Sequence, residues 1–272
     1  MMELVDTHCH IQSAGIPHGG ERITRQLWAK DPELTAESLV MSAADHGVTR
    51  LIVVGCDFED SQLAISCAQT QANAWATIGI HPHEAKHYAG NESAKKQFAS
   101  LVGQPKVVAI GECGLDYYYN HSPKADQTEL LRYQTELAVQ AGLPLTFHVR
   151  EAFDDFWPVF DSYTNVRGVL HSYTDSSDNL EKALERGLNI GVNGIATFTK
   201  DVRQLEVYRA IPLKSLLLET DAPFLAPAPF RGKTNQPKQV SVIAQFLAKL
   251  RKIEPEVLAG ATTANARELF GI

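Results

Sequence analysis

Short apolar runs recur along this chain of 272 residues, and one after another they end in an acid or an imidazole. The run ELVDTHCH delivers His8 and His10, VVAIGE delivers Glu112, LPLTFH delivers His148, GVLH delivers His171, and SLLLETD delivers Glu219 and Asp221. These runs are rich in Val, Ile and Leu with little alternation, the pattern of strands buried on both faces and paired in parallel under a cover of helices. Strands are expected over residues 4–7, 51–54, 74–78, 107–111, 145–147, 168–170, 189–192 and 215–218. Helical patterns fall between them, among others at 35–46, 62–71, 125–141, 180–186 and 240–250, and Gly142 reads as a helix stop leading into a strand. Eight strands with intervening helices describe a (β/α)8 TIM barrel. The rival, an open doubly wound sheet, lacks support: no GxGxxG follows the first strand, and the acids and imidazoles are not gathered at one crevice.

Size and composition fit one domain spanning 1–272, since a barrel of this kind needs about 250 residues. Hydrophobic residues make up 44% and charged residues 21%, ordinary for a globular protein. The start has no basic stretch followed by an apolar core, and no run reaches about 18 apolar residues, so neither a signal peptide nor a membrane span is expected. Four cysteines (Cys9, Cys56, Cys67, Cys113) lack zinc-ribbon pairing, and a cytoplasmic location with reduced thiols is expected. A net charge of −7 argues against broad coating of nucleic acid but not against gripping one strand end. No obligate protein partner is evident. The least regular segments, 13–31, 117–124 and 224–237, all follow strand ends and are expected to rim the mouth.

His8 and His10 are two apart on a strand, so both leave the same face. Alone, such a pair reads as hydrogen-bonded core histidines. Four further strand ends carrying Glu112, His148, His171 and Asp221 change that reading, because C-terminal strand ends of a barrel converge on one mouth. Four imidazoles and two carboxylates exceed the three protein ligands of a typical catalytic zinc. Two divalent ions sharing a carboxylate would use the surplus. The donor types suit zinc, manganese, nickel or cobalt, with magnesium at a carboxylate-rich position. No lysine follows the fourth strand, so a carboxylated-lysine bridge is not available and Glu112 takes the bridging role. Asp221 is placed to bind one ion and to steer or accept the proton of an attacking water. Glu219, two residues earlier, would share its face in an extended strand and assist, or else hold a neighbouring histidine.

His81 and His83, in IGIHPH, either lie on the surface or face the mouth and donate to a bound anion. Arg150, two residues after His148, and Arg231, in FRGKTN, are of the type that grips phosphate. Tyr117, Tyr118 and Tyr119 could stack on bases, but the reading taken from sequence is that the loop packs under its own rings. No nucleophilic triad is found. Cys9 points away from the two histidines that flank it, and Cys113 likewise reads as packing.

With these residues in place, the chain resembles the TatD family of metal-dependent deoxyribonucleases, within the amidohydrolase-like barrel superfamily. The stretches VDTHCH, GIHPHEA, AIGECGLDYYY, GLPLTFHVRE, LHSYT, LLLETDAPFLAP, FRGKTNQP and ATTANARELFGI carry the resemblance from end to end, in the family's order. It implies a metal-dependent hydrolase barrel with a divalent metal pair held by His8, His10, Glu112, His148, His171 and Asp221. It also implies phosphodiester hydrolysis on DNA, exonucleolytic, with single-stranded or frayed ends as the partner. The chain departs from the pattern at Ile11-Gln12, where the family usually has Leu-Asp, and over SAGIPHGGERITRQLWAKDPEL. Related barrels hydrolyse small cyclic amides, lactones or phosphoesters, and that is the alternative activity. A third possibility is a barrel that binds metal without catalysis; the intact Asp221 counts against it.

Overall fold

The computed structural model describes residues 2–16 and 22–272. Eight strands pair in parallel in strictly sequential order, β1 to β8, which excludes the reversed order of a doubly wound sheet. In chain order the elements are β1 (Leu4–Cys9), α1 (Ile23–Trp28), α2 (Ala36–Asp45), β2 (Val48–Val54), α3 (Phe58–Thr70), β3 (Ala74–Ile78), α4 (Glu92–Ala99), β4 (Val107–Asp116) and α5 (Lys124–Ala141). They continue with β5 (Leu145–Arg150), α6 (Phe153–Phe160), β6 (Gly168–Leu170), α7 (Ser177–Glu185), β7 (Asn189–Val192), α8 (Val202–Ala210), β8 (Leu216–Leu218), α9 (Val240–Arg251) and α10 (Pro255–Phe270). Among the described residues no helix is long and apolar enough to cross a membrane.

The apolar stretch of each strand is buried on both faces, while β5 comes out to half-buried and then exposed positions at its C-terminal end. The helices bury one stripe each; on α9 the stripe is Val240, Ile243, Ala244, Leu247 and Ala248, the spacing of a helix face turned to a core. α5 ends where Gly142 takes the left-handed conformation at φ 67. A second buried cluster joins Val5, Ile52, Val54, Ala109, Val169 and Leu217 to Leu269 and Phe270 of α10. Residues from strands all around the ring can meet only inside it, so this cluster is the barrel interior, stopped by the last helix.

The ring closes between the first and last strands without a long ladder, because β8 has only three residues. The chain after β8 completes the seam: Thr7 Oγ1 donates to the Leu218 carbonyl, Asp221 N to the His8 carbonyl and His10 N to the Ala222 carbonyl. Asp6 is fully buried and accepts from Thr220 through both its hydroxyl (2.6 Å) and its amide (2.8 Å).

Three sequence expectations shift. β4 runs on to Asp116 and β5 to Arg150, so Glu112 and His148 lie within strands rather than at their ends. Gly111 and Gly114 interrupt the apolar run and hide the continuation. The segment 13–31 is not wholly irregular: its described part holds α1, whose Trp28 is buried and donates its indole N–H to the His10 carbonyl at 2.8 Å. A helix under two turns long is too short to show a period in sequence. Residues 17–21 of that segment lie outside the described residues.

Gly114 allows β4 and β5 to approach. It sits at φ 150, and a Cβ there would lie 1.8 Å from the His148 carbonyl oxygen. Gly114→Ala is therefore expected to cost at least about 3 kcal/mol of stability, measured by urea unfolding. An unchanged midpoint would contradict the β4–β5 register.

Candidate metal centre

Two bulges aim the central side chains. Between Ile110 and Cys113, β4 spends three residues where β5 spends two (Leu145 to Phe147), and Glu112 sits in that irregularity. β1 does the same between Asp6 and Cys9, opposite Leu51 to Val53 of β2, around His8. Bulges of this sort re-aim a side chain without ending the sheet.

Glu112, 4% exposed, lies at the centre, and its two oxygens face different histidines. Oε2 is 3.4 Å from His8 Nε2 and 3.9 Å from His10 Nε2. Oε1 is 2.8 Å from His148 Nδ1, 3.4 Å from His171 Nε2 and 3.7 Å from His81 Nε2. Asp221 Oδ1 completes the first group, 3.3 Å from His10 Nε2 and 3.7 Å from His8 Nε2. The structure thus brings His8, His10, Glu112, His148, His171 and Asp221 together, with His81 beside them.

Each of three imidazoles is held at the nitrogen that faces away from this centre. His10 Nδ1 lies 2.9 Å from the Val54 carbonyl. His148 Nε2 lies 2.9 Å from Asp116 Oδ2. His171 Nδ1 lies 3.0 Å from Glu219 Oε1, an ion-pair approach rather than an aligned hydrogen bond. An imidazole so braced keeps its ring orientation and presents the opposite nitrogen.

Glu219 does not share a strand face with Asp221. β8 stops at Leu218, and Asp221 takes the left-handed conformation at φ 58, which Asp tolerates better than most residues. The turn directs Asp221 into the cluster and leaves Glu219 behind His171, where it also accepts from Ser172 N at 2.6 Å.

The charges are mutually dependent. Burial would raise the Glu112 carboxyl, but the surrounding imidazoles, His171 foremost, outweigh it and hold it well below the usual carboxylate range. Burial would lower His171, but Glu219 and Glu112 push it up to about 9. Asp221 stays below its ordinary value because its hydrogen bond to His10 and the nearby imidazoles outweigh its burial. Burial drives His81 well below the ordinary value, and its Nδ1 accepts from His83 N at 3.1 Å, so the neutral ring carries its proton on Nε2, facing Glu112. Among the described residues no lysine or arginine pairs with Glu112, Glu219 or Asp221. A buried set of imidazole nitrogens and carboxylates with no side-chain cation other than the imidazoles themselves fits divalent metal ions.

The profile of the family described as TatD related DNase matches residues 5–271. The chain belongs to that family. It is 37% identical over 259 residues to the 3'-5' ssDNA/RNA exonuclease TatD of Erwinia billingiae (strain Eb661), covering 92% of this chain and 97% of that one. It is 33% identical over 271 residues to a metal-dependent hydrolase, YabD, of Bacillus subtilis (strain 168), with 99% of each covered. Among solved structures it is similar to YJJV, a TatD homolog from Escherichia coli K12, at TM-score 0.86 and 28% identity over 99% of this chain and 98% of that one.

Around this TatD-family centre, His83 is not on an idle surface: its Nε2 lies 3.0 Å from Asp116 Oδ2. The sequence reading missed two residues. Asp116 is fully buried between His83 and His148, a place that only the extension of β4 reveals. Cys56 follows β2 and sets its sulfur 3.9 Å from His10 Nδ1 and 4.0 Å from Glu112 Oε2; one cysteine in a turn carries no sequence signal. Arg150 and Arg231 stand outside the cluster on the rim, Arg150 over the Tyr118 ring at 4.1 Å and Arg231 over the Phe198 ring at 3.7 Å.

Two outcomes follow for the metal-free protein and its loading. His171, raised from 6.5 to about 9, and Asp6, raised by burial from 3.8 to about 8, both hold protons more tightly folded than unfolded. Their stabilisation is present at low pH and is lost as pH rises through those values. In EDTA the melting temperature is expected to fall between about pH 6.5 and 9, followed by circular dichroism. Added zinc should raise it more at pH 8 than at pH 6, since protons compete for the imidazoles. A melting temperature that climbs over this window in EDTA contradicts the charge assignment. Separately, Asp116→Asn should weaken metal binding by about 10–100-fold in a chelator competition, through loss of the brace on His148. Unchanged affinity would remove Asp116 from the site.

Proposed function

We propose that the protein is a divalent-metal-dependent hydrolase that cleaves phosphodiester bonds in DNA, removing nucleotides from single-stranded or frayed ends. The observation that carries this reading is the divided carboxylate of Glu112: one oxygen faces His8 and His10, the two imidazoles that Asp221 also approaches, and the other faces His148 and His171. That division supports two ions, one held by His8, His10, Asp221 and Glu112, the other by Glu112, His148 and His171. Zinc, manganese, nickel or cobalt suits both sets, and magnesium could use the carboxylates. The E. billingiae relative named a 3'-5' ssDNA/RNA exonuclease supports nucleic acid as the substrate.

When bound, such ions polarise phosphoryl oxygens, acidify water and neutralise the charge that builds up as the bond breaks. The chain's own groups then have distinct tasks. Asp221, an unprotonated carboxylate at neutral pH, accepts the proton of the attacking water at Oδ1. His81 offers its Nε2–H to a phosphate oxygen at the mouth, at no cost in charge because the ring is neutral. His83 reaches the same side from the adjoining turn. Arg150 and Arg231 supply N–H groups for the flanking phosphates. Glu219 positions His171 rather than meeting substrate. We place the enzyme in the cytoplasm.

The alternative, hydrolysis of a small cyclic amide, lactone or phosphoester, is tested in the same experiment. End-labelled single-stranded DNA is incubated with the protein and each of zinc, manganese, nickel, cobalt and magnesium, beside a cyclic amide. Stepwise shortening of the strand is expected, with Asp221→Asn slower by about 10²–10⁴-fold. If no ion supports cleavage and Asp221→Asn changes nothing, the reading fails; turnover of the amide alone moves it to the alternative.

A further inference from the structure

We propose that Tyr118 and Tyr119, backed by Arg150, form a stacking platform for unpaired bases beside the metal centre, and that this platform confines the enzyme to single strands. The inference rests on the nucleic-acid reading above and supplies what that reading leaves open, namely how a strand is recognised away from the scissile bond.

The sequence reading assigned all three tyrosines to packing, and the structure separates them. Tyr117 is packed: its hydroxyl donates to Asp155 at 2.7 Å, and Lys124 covers its ring at 3.8 Å. Tyr118 and Tyr119 are not, being 54% and 52% exposed. Their rings meet edge to face at 4.8 Å, and the Arg150 guanidinium lies 4.1 Å from one ring centroid and 5.0 Å from the other. Among the described residues, the Arg150 side chain has no hydrogen bond and no carboxylate partner. A cation without a carboxylate partner and half-exposed rings, one face of Tyr118 under Arg150 and Tyr119 stacked with His121 at 5.9 Å, thus stand together on a protein of net charge −7.

The platform is tied to the reactive centre through one carboxylate. Asp116 Oδ1 accepts from the amides of Tyr118 (3.1 Å) and Tyr119 (2.9 Å), while Oδ2 receives His148 and His83. A line of rings covers the interval: Tyr119 to His83 at 5.6 Å, His83 to His81 at 4.3 Å, and His81 Nε2 to Glu112 at 3.7 Å. The rings are therefore held in register with the cluster rather than carried on a free loop.

The chemistry selects the ligand. Any base presents a π face, so aromatic stacking tolerates all four, and a guanidinium beside the rings matches the phosphate that accompanies each base. In a duplex those faces are covered by neighbouring pairs, so only an unpaired end can use the platform. A compact cyclic substrate confined to the metal centre has no part that would reach it.

The test pairs a protein change with a substrate change. Parent, Tyr118→Ala/Tyr119→Ala and Tyr118→Phe/Tyr119→Phe proteins are assayed on a fluorescein-labelled single strand of thymidines. A strand of equal length with abasic residues at its terminal nucleotides serves as comparison. The same strands are titrated by anisotropy in an Asp221→Asn background. The parent is expected to favour the base-bearing strand. The alanine pair should lose that preference by roughly tenfold, mainly in KM and in Kd, and the phenylalanine pair should keep it. A parent indifferent to the bases, or an alanine pair that retains the preference, overturns the platform while leaving hydrolysis intact. A parent that cuts neither strand, yet binds the base-bearing one more tightly through these tyrosines, upholds the platform and overturns the hydrolase reading. Failure to bind either strand overturns both.

Discussion

The Glu112 carboxylate organises the rest of the structure. It is buried, charged and central, and a buried carboxylate is tolerated only where opposing charge and hydrogen-bond donors surround it. Here the surroundings are imidazoles from three strands and the residues that follow them (β1, β5 and β6) and from the turn after β3, arranged so that each oxygen meets its own group. The bulge in β4 makes this possible, since in unbroken register the side chain would not be set between both groups. The raised His171 and the depressed Glu112 express the same coupling from its two sides.

The barrel steadies the far side of the site. The Val54 carbonyl of β2 holds His10, Asp116 of β4 holds His148 and Glu219, just past β8, holds His171. Asp6 and Thr220 lock the first strand to the chain after the last, so the turn that presents Asp221 is part of the barrel's closure. Stability and chemistry therefore share residues, and a substitution at this seam acts on both.

Beyond the cluster the mouth changes character, from buried imidazole to exposed aromatic and arginine. Asp116 joins the two regions: inside, it braces an imidazole of the cluster; outside, it anchors the loop that displays Tyr118 and Tyr119. A site built this way couples the place where a bond breaks to the place where the rest of a strand rests. That arrangement suits a polymer better than a small ring.

Strand number, strand order and the residues that meet at the mouth were legible in the sequence. Buried parallel strands leave apolar runs, and the acids or imidazoles at or near the ends of five of these runs have few structural reasons to be there. The convergence of His8, His10, Glu112, His148, His171 and Asp221 follows from strand ends sharing one rim of a barrel. Tertiary structure decided the rest. The continuation of β4 through Gly111 and Gly114, the left-handed turn at Asp221 that parts it from Glu219, and the place of Asp116 all depend on bulges and on closure of the ring. So does the exposure that separates Tyr118 and Tyr119 from Tyr117. These outcomes depend on contacts between segments far apart in the chain, whereas sequence pattern carries only the periodicity of each segment on its own.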